Sequence, residues 1–163
     1  MIIPTITIDG FSVEMPQVVR VPISTRGQSA WKRGFNWLFG TQLWVLTKDW
    51  KFPYKGDWLY IKAGFITDFA SIPRLFWFLL NPTGIMQIPG LLHDFYYQHH
   101  HFVIKAGSSR SSTIIYANRG RKFGDEFFRE ISEKVNGMRV PSLVAYVVLG
   151  CFGWIAWNNH RRK

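Results

Sequence analysis

Residues 91–97 read Leu-Leu-His-Asp-Phe-Tyr-Tyr and place His93 and Asp94 side by side in an apolar run, with Tyr97 one helical turn after the histidine. The chain has only ten acidic residues against twenty Lys and Arg. Burying a carboxylate beside an imidazole is unfavourable unless both groups are hydrogen-bonded, ion-paired or bound to a metal. Two interpretations follow: an acid that pairs with its neighbouring histidine in an ordinary core, or a base and its partners in a functional site.

Helix geometry brings His93 and Tyr97 together. The periodicity predicts a helix over residues 91–98. At about 100° per residue the histidine and the tyrosine share one side, where they can converge on a common acceptor. Asp94 points elsewhere, so its carboxylate can bind a cation or pair with an arginine.

A second predicted helix carries a carboxylate that can accept hydrogen bonds from His93 and Tyr97. Apolar side chains recur on one face of residues 123–135, and Gly137 follows as the predicted end of the helix. Asp125 lies at the border of that face, from which a carboxylate can reach a histidine on an antiparallel neighbour. The simpler interpretation of Asp125 is an acid in the first turn, which the helix dipole favours.

A polar string joins the predicted strands to the predicted helices. Residues 63–74 read Ala-Gly-Phe-Ile-Thr-Asp-Phe-Ala-Ser-Ile-Pro-Arg. We expect Asp68 to accept hydrogen bonds from exposed amides of the following helix, Ser71 to lie at the helix entry, and Arg74 to clamp a carboxylate. These three residues form a second candidate polar centre, although a purely structural role is sufficient to explain them.

The first third of the chain has the pattern of an antiparallel sheet. Turn residues separate short runs that are rich in β-branched and aromatic side chains, and residues 9–10 and 55–57 predict turns. A polar, basic loop is predicted over residues 24–36. The predicted strands are residues 5–8, pieces of residues 11–23 limited by prolines, residues 42–48 and residues 58–66.

Helices dominate the rest of the chain. The pattern predicts a short apolar helix at 74–80, a proline- and glycine-rich loop at 81–90, and a long loop or small hairpin at 105–122. The fold class is therefore α+β, in a single domain over residues 1–163. It comprises a small N-terminal antiparallel β-sheet in residues 1–66, a mainly helical part in residues 67–157 with two antiparallel helices and a terminal apolar helix, and a basic tail at 158–163.

The terminal apolar segment has two interpretations. Residues 140–159 contain no charged side chain and are followed by His-Arg-Arg-Lys. The apolar stretch at 143–157 is shorter than the ~20 residues that a bilayer span requires, and Pro141 with Ser142 is typical of a helix start. We expect a helix that is buried or lies at an interface, with a membrane-spanning segment as the alternative.

The net charge and the cysteine content of the chain restrict the partners and the cross-links that are expected. The formal net charge is +10, and the chain has one cysteine, Cys151. The charge favours an anionic partner, either a phospholipid surface or nucleic acid, and the lone cysteine excludes an internal disulfide framework. The N-terminal sequence lacks a basic segment and a small-residue cleavage site, so we predict that the protein is not secreted by a signal peptide.

Three strings together resemble a known family. They are the 63–74 string, Leu-His-Asp-Phe-Tyr-Tyr at 92–97 and Asp-Glu-Phe-Phe at 125–128. In this order they resemble the phage and prophage family called domain of unknown function 1353, over roughly residues 40–157. Gly124 stands where that family usually has alanine. The resemblance implies a phage origin, with the protein in the host cytoplasm or the virion, and it supplies no function.

A second likeness concerns mechanism. His-Asp-x-x-Tyr followed by an Asp-x-x-Phe helix resembles the two antiparallel catalytic helices of secretory and parvoviral phospholipases A-two. This resemblance implies that His93 is the base, that Asp94 binds calcium, and that Tyr97 and Asp125 orient the histidine. The disulfides of the secretory enzymes are absent, and residues 81–90 are a poor substitute for their glycine-rich calcium loop.

Three functional interpretations result. The leading one is a phage-encoded hydrolase of a lipid or another ester, active in particle assembly or infection, with calcium as its candidate cofactor and a site formed by His93, Asp94, Tyr97 and Asp125. Such a protein would associate peripherally with membranes. The alternative is a non-enzymatic virion or tail-associated component, in contact with other phage structural proteins, in which the same cluster is a buried hydrogen-bond network. The third is a nucleic-acid-binding accessory that uses the basic loops around Trp31, Lys32 and Arg33.

Overall fold

A computed structural model describes residues 4–22, 27, 29–33, 42–69, 84, 86–105 and 112–161 of the chain. Within these residues nine strands precede or separate three long helices. The strands are β1 (Thr5–Ile8), β2 (Phe11–Glu14), β3 (Val18–Arg20), β4 (Trp44–Leu46), β5 (Trp50–Tyr54), β6 (Asp57–Ile61), β7 (Ile66–Thr67), β8 (Phe102–Lys105) and β9 (Ser112–Ile115). The helices are α1 (Gln87–His99), α2 (Gly120–Asn136) and α3 (Arg139–Arg161).

The strands pair in three antiparallel sheets. One is the β1–β2 hairpin, the second has the order β3-β4-β7, and the third has the order β5-β6-β8-β9. Two hairpins turn through pairs of residues with positive φ, Asp9 (51°) with Gly10 (80°) and Lys55 (51°) with Gly56 (87°). Positive φ at both central residues is the geometry of a type I′ turn, whose twist matches that of paired strands. Both turns were predicted.

Strand β5 was not predicted. Residues 53–57 were predicted to connect two strands, and no strand was predicted between residues 48 and 58. In the structure Pro53 pairs with Trp58 in β6, and β5 is an edge strand of its sheet. A proline is tolerated there because an edge strand can turn its missing N–H side away from the neighbouring strand.

Helix α1 begins four residues earlier than the predicted start at Leu91. It includes Pro89 and Gly90, which the sequence analysis placed in a loop. Proline is compatible with a first helical turn, where its missing N–H has no intrahelical acceptor. A β-carbon at Gly90 would lie 3.1 Å from the Cα of Phe69, so the glycine lets the helix approach the segment after β7.

The predicted end of the second helix is confirmed. Helix α2 stops at Asn136, and Gly137 follows with a φ of 64° and donates its N–H to the carbonyl of Glu133. Helix α3 begins at Arg139, before Pro141. None of the helices in the described residues is both long enough and apolar enough to cross a bilayer.

The α+β fold class is confirmed. Helix α1 packs against α2, α2 packs against α3, and α1 also contacts β7 and β8. The main core is aromatic and lies between the sheets and α1, with Phe127 and Ile131 contributed by α2. A smaller cluster between the helices contains Met86, Phe128, Ala145 and Leu149.

The predictions for the remaining loops and for the helix at 74–80 have different outcomes. The hairpin alternative for residues 105–122 is right only in part, since β9 pairs with β8, which begins at Phe102, and residues 120–122 belong to α2. Within the predicted loop at 24–36, residues 30–33 form a helical turn. The predicted helix at 74–80, with Ser71 and Arg74, lies outside the described residues, and the single-domain boundaries stay a prediction.

Candidate functional site

The Asp125 carboxylate lies at the centre of a buried polar cluster between α1 and α2. Tyr97 donates its hydroxyl to Oδ1 of Asp125 at 2.5 Å, and Nε2 of His93 lies 3.2 Å from the same oxygen. Asp125 is 3% exposed and His93 2%. The structure thus brings His93, Tyr97 and Asp125 within hydrogen-bond distance, as the two-helix prediction required.

Arg121 occupies the other side of the same carboxylate and was missed by the sequence analysis. Its Nη1 donates to Oδ2 of Asp125 at 2.8 Å, one helical turn along α2. The same nitrogen lies 3.2 Å from the carbonyl oxygen of Leu149 in α3. The i, i+4 spacing to Asp125 was the available signal, but the contact with α3 depends on tertiary packing.

The second ring nitrogen of His93 has a different environment. Nδ1 is buried and has no hydrogen-bond partner among the described residues. The Oδ1 atom of Asp94 lies 3.7 Å away, beyond hydrogen-bond distance but close enough for charge interaction. The ring is held by Tyr97 and Phe128, whose ring centroids lie 3.9 and 5.5 Å from that of the histidine.

Asp94 is directed towards the sheet. Its Oδ2 accepts the Thr67 hydroxyl at 2.5 Å and the backbone N–H of Asp68 at 3.0 Å. Thr67 Oγ1 in turn accepts the N–H of Phe69 at 3.1 Å. The carboxylate therefore ties α1 to the end of β7. Thr67 was not singled out from the sequence, although it lies within the 63–74 string.

Asp68 joins this cluster through its backbone, and its side chain also interacts with Asp94. The structure therefore brings Asp68 to Asp94 and not to Asp125. The other two residues of the predicted second polar centre, Ser71 and Arg74, cannot be placed because they lie outside the described residues.

The charges of the cluster support one another. Burial lowers the pKa of His93, but the interactions with Asp125 and Asp94 outweigh burial and raise that pKa above its usual value. Burial raises the pKa of Asp94, yet His93, Asp68 and Thr67 hold it below the usual range. Burial and the Asp125 carboxylate raise the pKa of Tyr97, which keeps the hydroxyl protonated as a donor.

The surroundings of Asp94 bear on its predicted role as a calcium ligand. Nowhere in the described ranges do three His, Cys, Asp or Glu side chains converge as metal ligands would. One oxygen of Asp94 already accepts two hydrogen bonds. Calcium requires six to eight oxygen ligands, so the predicted role of Asp94 as a calcium ligand gains no support from this geometry.

Helix α3 closes the cluster on its third side. A β-carbon at Gly153 would lie 3.8 Å from Oδ1 of Asp125, and the Trp157 ring packs edge-on against Tyr97 with centroids 5.0 Å apart. Neither Gly153 nor Trp157 was predicted to belong to the site. The predicted terminal helix therefore contributes directly to the surroundings of the polar cluster.

Comparison with known proteins identifies the family. Residues 44–149 match the sequence model of the family described as "Protein of unknown function (DUF1353)", and the chain belongs to this family. No curated protein matches the chain, and no solved structure matches it. The matched region includes His93, Tyr97, Arg121 and Asp125.

Proposed function

We propose that this DUF1353 protein is a phage-encoded hydrolase of a lipid or another ester, with His93 as its general base. One observation carries the proposal: Nε2 of His93 faces Asp125 at 3.2 Å while Nδ1 has no hydrogen-bond partner among the described residues. A buried imidazole with one nitrogen oriented by a carboxylate and the other unoccupied is the arrangement of a positioned base.

The tautomer follows from the partners. A carboxylate only accepts hydrogen bonds, so the nitrogen that faces Asp125 carries the proton when the imidazole is neutral. Nδ1 then has a free lone pair. Tyr97 and Arg121 donate to the same carboxylate and fix its orientation. These residues therefore act as positioning residues for the histidine.

The proposed reaction is direct hydrolysis by water. Nδ1 of His93 takes a proton from water as the oxygen attacks the ester carbonyl, and the imidazolium then returns a proton to the leaving alcohol as the acyl–oxygen bond breaks. The raised pKa of His93 means that the base is free only on the alkaline side of its usual value. We expect activity to rise with pH above 6.5, the ordinary pKa of histidine.

The biological setting is part of the proposal and rests on the sequence resemblance. It includes a role in particle assembly or infection, a location in the host cytoplasm or virion, and contact with other phage proteins. The net charge of +10 supports an anionic partner. Calcium at Asp94 is part of the proposal, and hydrolysis measured with calcium and with a chelator tests it.

A non-enzymatic role is the second candidate, and burial is the observation that favours it. His93, Asp94 and Asp125 are each at most 6% exposed, and their hydrogen bonds join β7, α1 and α2. A buried network of this kind can specify a single packing of these elements without any reaction. In that case the protein would be a structural component of the virion or tail.

An esterase assay separates the two candidates. Hydrolysis of phospholipid would be measured across a pH series, with calcium or with a chelator, for the wild type, His93→Gln and the control His99→Gln. His99 lies in the last turn of the same helix, outside the polar cluster, and is partly exposed. We expect His93→Gln to lose activity and His99→Gln to keep it, with the far-UV circular dichroism of both variants unchanged. A wild type that is inactive throughout, with His93→Gln unfolded, would favour the structural role.

A further inference from the structure

Helix α3 carries an apolar stripe that no described residue covers. Val140 is 73% exposed and Val147 54%, and Leu143, Cys151 and Trp154 are also exposed. At about 100° per residue these positions fall within one third of the helix circumference. From Val140 to Trp154 the stripe runs about 21 Å, at 1.5 Å per residue. We refer to these five residues as the α3 stripe.

The opposite side of the same helix packs on the protein. Ser142, Ala145, Leu149 and Gly153 are buried, and they lie about 180° from the α3 stripe. Ser142 is hydrogen-bonded to Ser132 of α2 at 2.7 Å. The helix is thus anchored through one face and presents a second apolar face outward. A large exposed apolar patch on an anchored element is a mark of an interaction surface.

The charged residues near the α3 stripe indicate which kind of partner binds it. The segment from residue 134 to residue 163 contains no acidic residue. Arg139 begins α3 and Arg161 ends it, and Arg162 and Lys163 follow in the sequence. Two copies joined through the stripe would bring these like charges together with no acid on the helix to offset them. Nucleic acid would be attracted by the cations, but it gives the apolar residues no partner. An anionic phospholipid surface satisfies both features.

We propose that α3 lies in the plane of an anionic phospholipid surface, with the α3 stripe in the headgroup and acyl boundary and the exposed Arg139 on lipid phosphates. Trp154 has the amphipathic ring that favours this boundary. The helix does not cross the bilayer, in agreement with its insufficient apolar length. This docking goes beyond the proposed hydrolysis, because it needs no reaction and survives if the site proves to be structural.

Vesicle binding tests the proposal. Flotation would be measured with vesicles of phosphatidylglycerol and phosphatidylcholine in equal parts, and with vesicles of phosphatidylcholine alone. Val147→Glu is matched by Ile114→Glu, a substitution at a residue of β9 with similar exposure, 58% against 54%. We expect binding to the mixed vesicles only, weakened about tenfold by Val147→Glu and little changed by Ile114→Glu.

Cys151 gives an independent readout, because it is the single cysteine of the chain and lies on the α3 stripe. An environment-sensitive dye on Cys151 should shift to the blue on mixed vesicles. The same dye at position 114, in Cys151→Ser combined with Ile114→Cys, should not. Equal binding to both vesicle types, equal loss in the two glutamate variants, or a stable dimer that Val147→Glu dissociates would each overturn the proposal.

Discussion

Gly153 lies so close to Tyr97 that a β-carbon added to the glycine would be 2.9 Å from the tyrosine hydroxyl oxygen. The same β-carbon would be 3.4 Å from Nη1 of Arg121. Real β-carbons almost never approach an oxygen so closely. Since Tyr97 and Arg121 both donate to Asp125, the absence of a side chain at position 153 lets α3 close over the carboxylate without displacing its donors.

Gly153→Ala should therefore destabilise the protein. The methyl group must displace the Tyr97 hydroxyl or shift α3, and overpacking of this kind costs about 1–3 kcal/mol. Gly150→Ala is the control on the same helix, because position 150 is exposed and a β-carbon there meets nothing within 4 Å. It should stabilise the helix by up to about 1 kcal/mol. Urea denaturation of both variants measures the difference, and similar midpoints would contradict the described packing.

Tyr97→Phe should lower the free energy of unfolding by about 1.5–3 kcal/mol, because it removes a buried hydrogen bond to a charged acceptor. The control is Tyr60→Phe, which removes a tyrosine–aspartate hydrogen bond at the surface, to Asp49. We expect an effect below about 0.5 kcal/mol there. Combining Tyr97→Phe with Asp125→Asn should cost less than the sum of the two single changes. Additive effects would mean that the two side chains do not interact.

Thr67→Val tests the link between β7 and α1. The substitution removes the hydroxyl that donates to Asp94 and accepts from the Phe69 N–H, at nearly constant volume. We expect a loss of about 1.5–3 kcal/mol, since the acceptor is a buried charge. Thr47→Val, which removes an exposed hydroxyl bonded to the Gln17 carbonyl, should cost much less. Thermal denaturation of the two variants provides the comparison, and equal losses would argue against a special role of Thr67.

Stability should depend on pH in two opposite directions. The folded pKa of His93 is raised above 6.5, so its contribution is complete below pH 6.5 and is lost as the pH rises through the folded pKa. The folded pKa of Asp94 lies below 3.8, so its contribution is present above pH 3.8 and is lost as the pH falls through the folded pKa. Between pH 3.8 and pH 6.5 both His93 and Asp94 contribute to the stability of the folded protein.

Urea denaturation across the pH range measures this dependence. His93→Gln should remove the alkaline decline in stability. His99→Gln is the control with opposite sign, because burial lowers the pKa of His99 and its protonation in the unfolded chain reduces stability below pH 6.5. An alkaline decline that persists unchanged in His93→Gln would show that the histidine is not charged in the folded protein.

Local rules predicted much of the fold and the central contacts of the cluster. The spacing of His93 and Tyr97 and the border position of Asp125 depend only on helix geometry, and the turns at Asp9-Gly10 and Lys55-Gly56 depend on residues that accept positive φ. These are properties of a few neighbouring residues. They remain valid whatever surrounds them.

What could not be predicted depends on tertiary contacts. Strand β5 has no clear alternation and contains Pro53, and it is a strand because β6 pairs with it. Helix α1 begins early, at Gln87, and its Gly90 meets the Phe69 backbone, a contact with a residue outside the helix. The roles of Thr67, Arg121 and Gly153 likewise require elements that are distant in sequence to be in place.

The polar cluster extends beyond the stretch by which the family is recognised. Matching residues end at 149, whereas Gly153 and Trp157 lie against Tyr97, and β3 pairs with β4 from before residue 44. A fragment trimmed to 44–149 would leave Tyr97 open to water and would expose an unpaired strand edge prone to aggregation. Expression of relatives for crystallography or screening should therefore retain at least the equivalents of β3 and of α3 through Trp157.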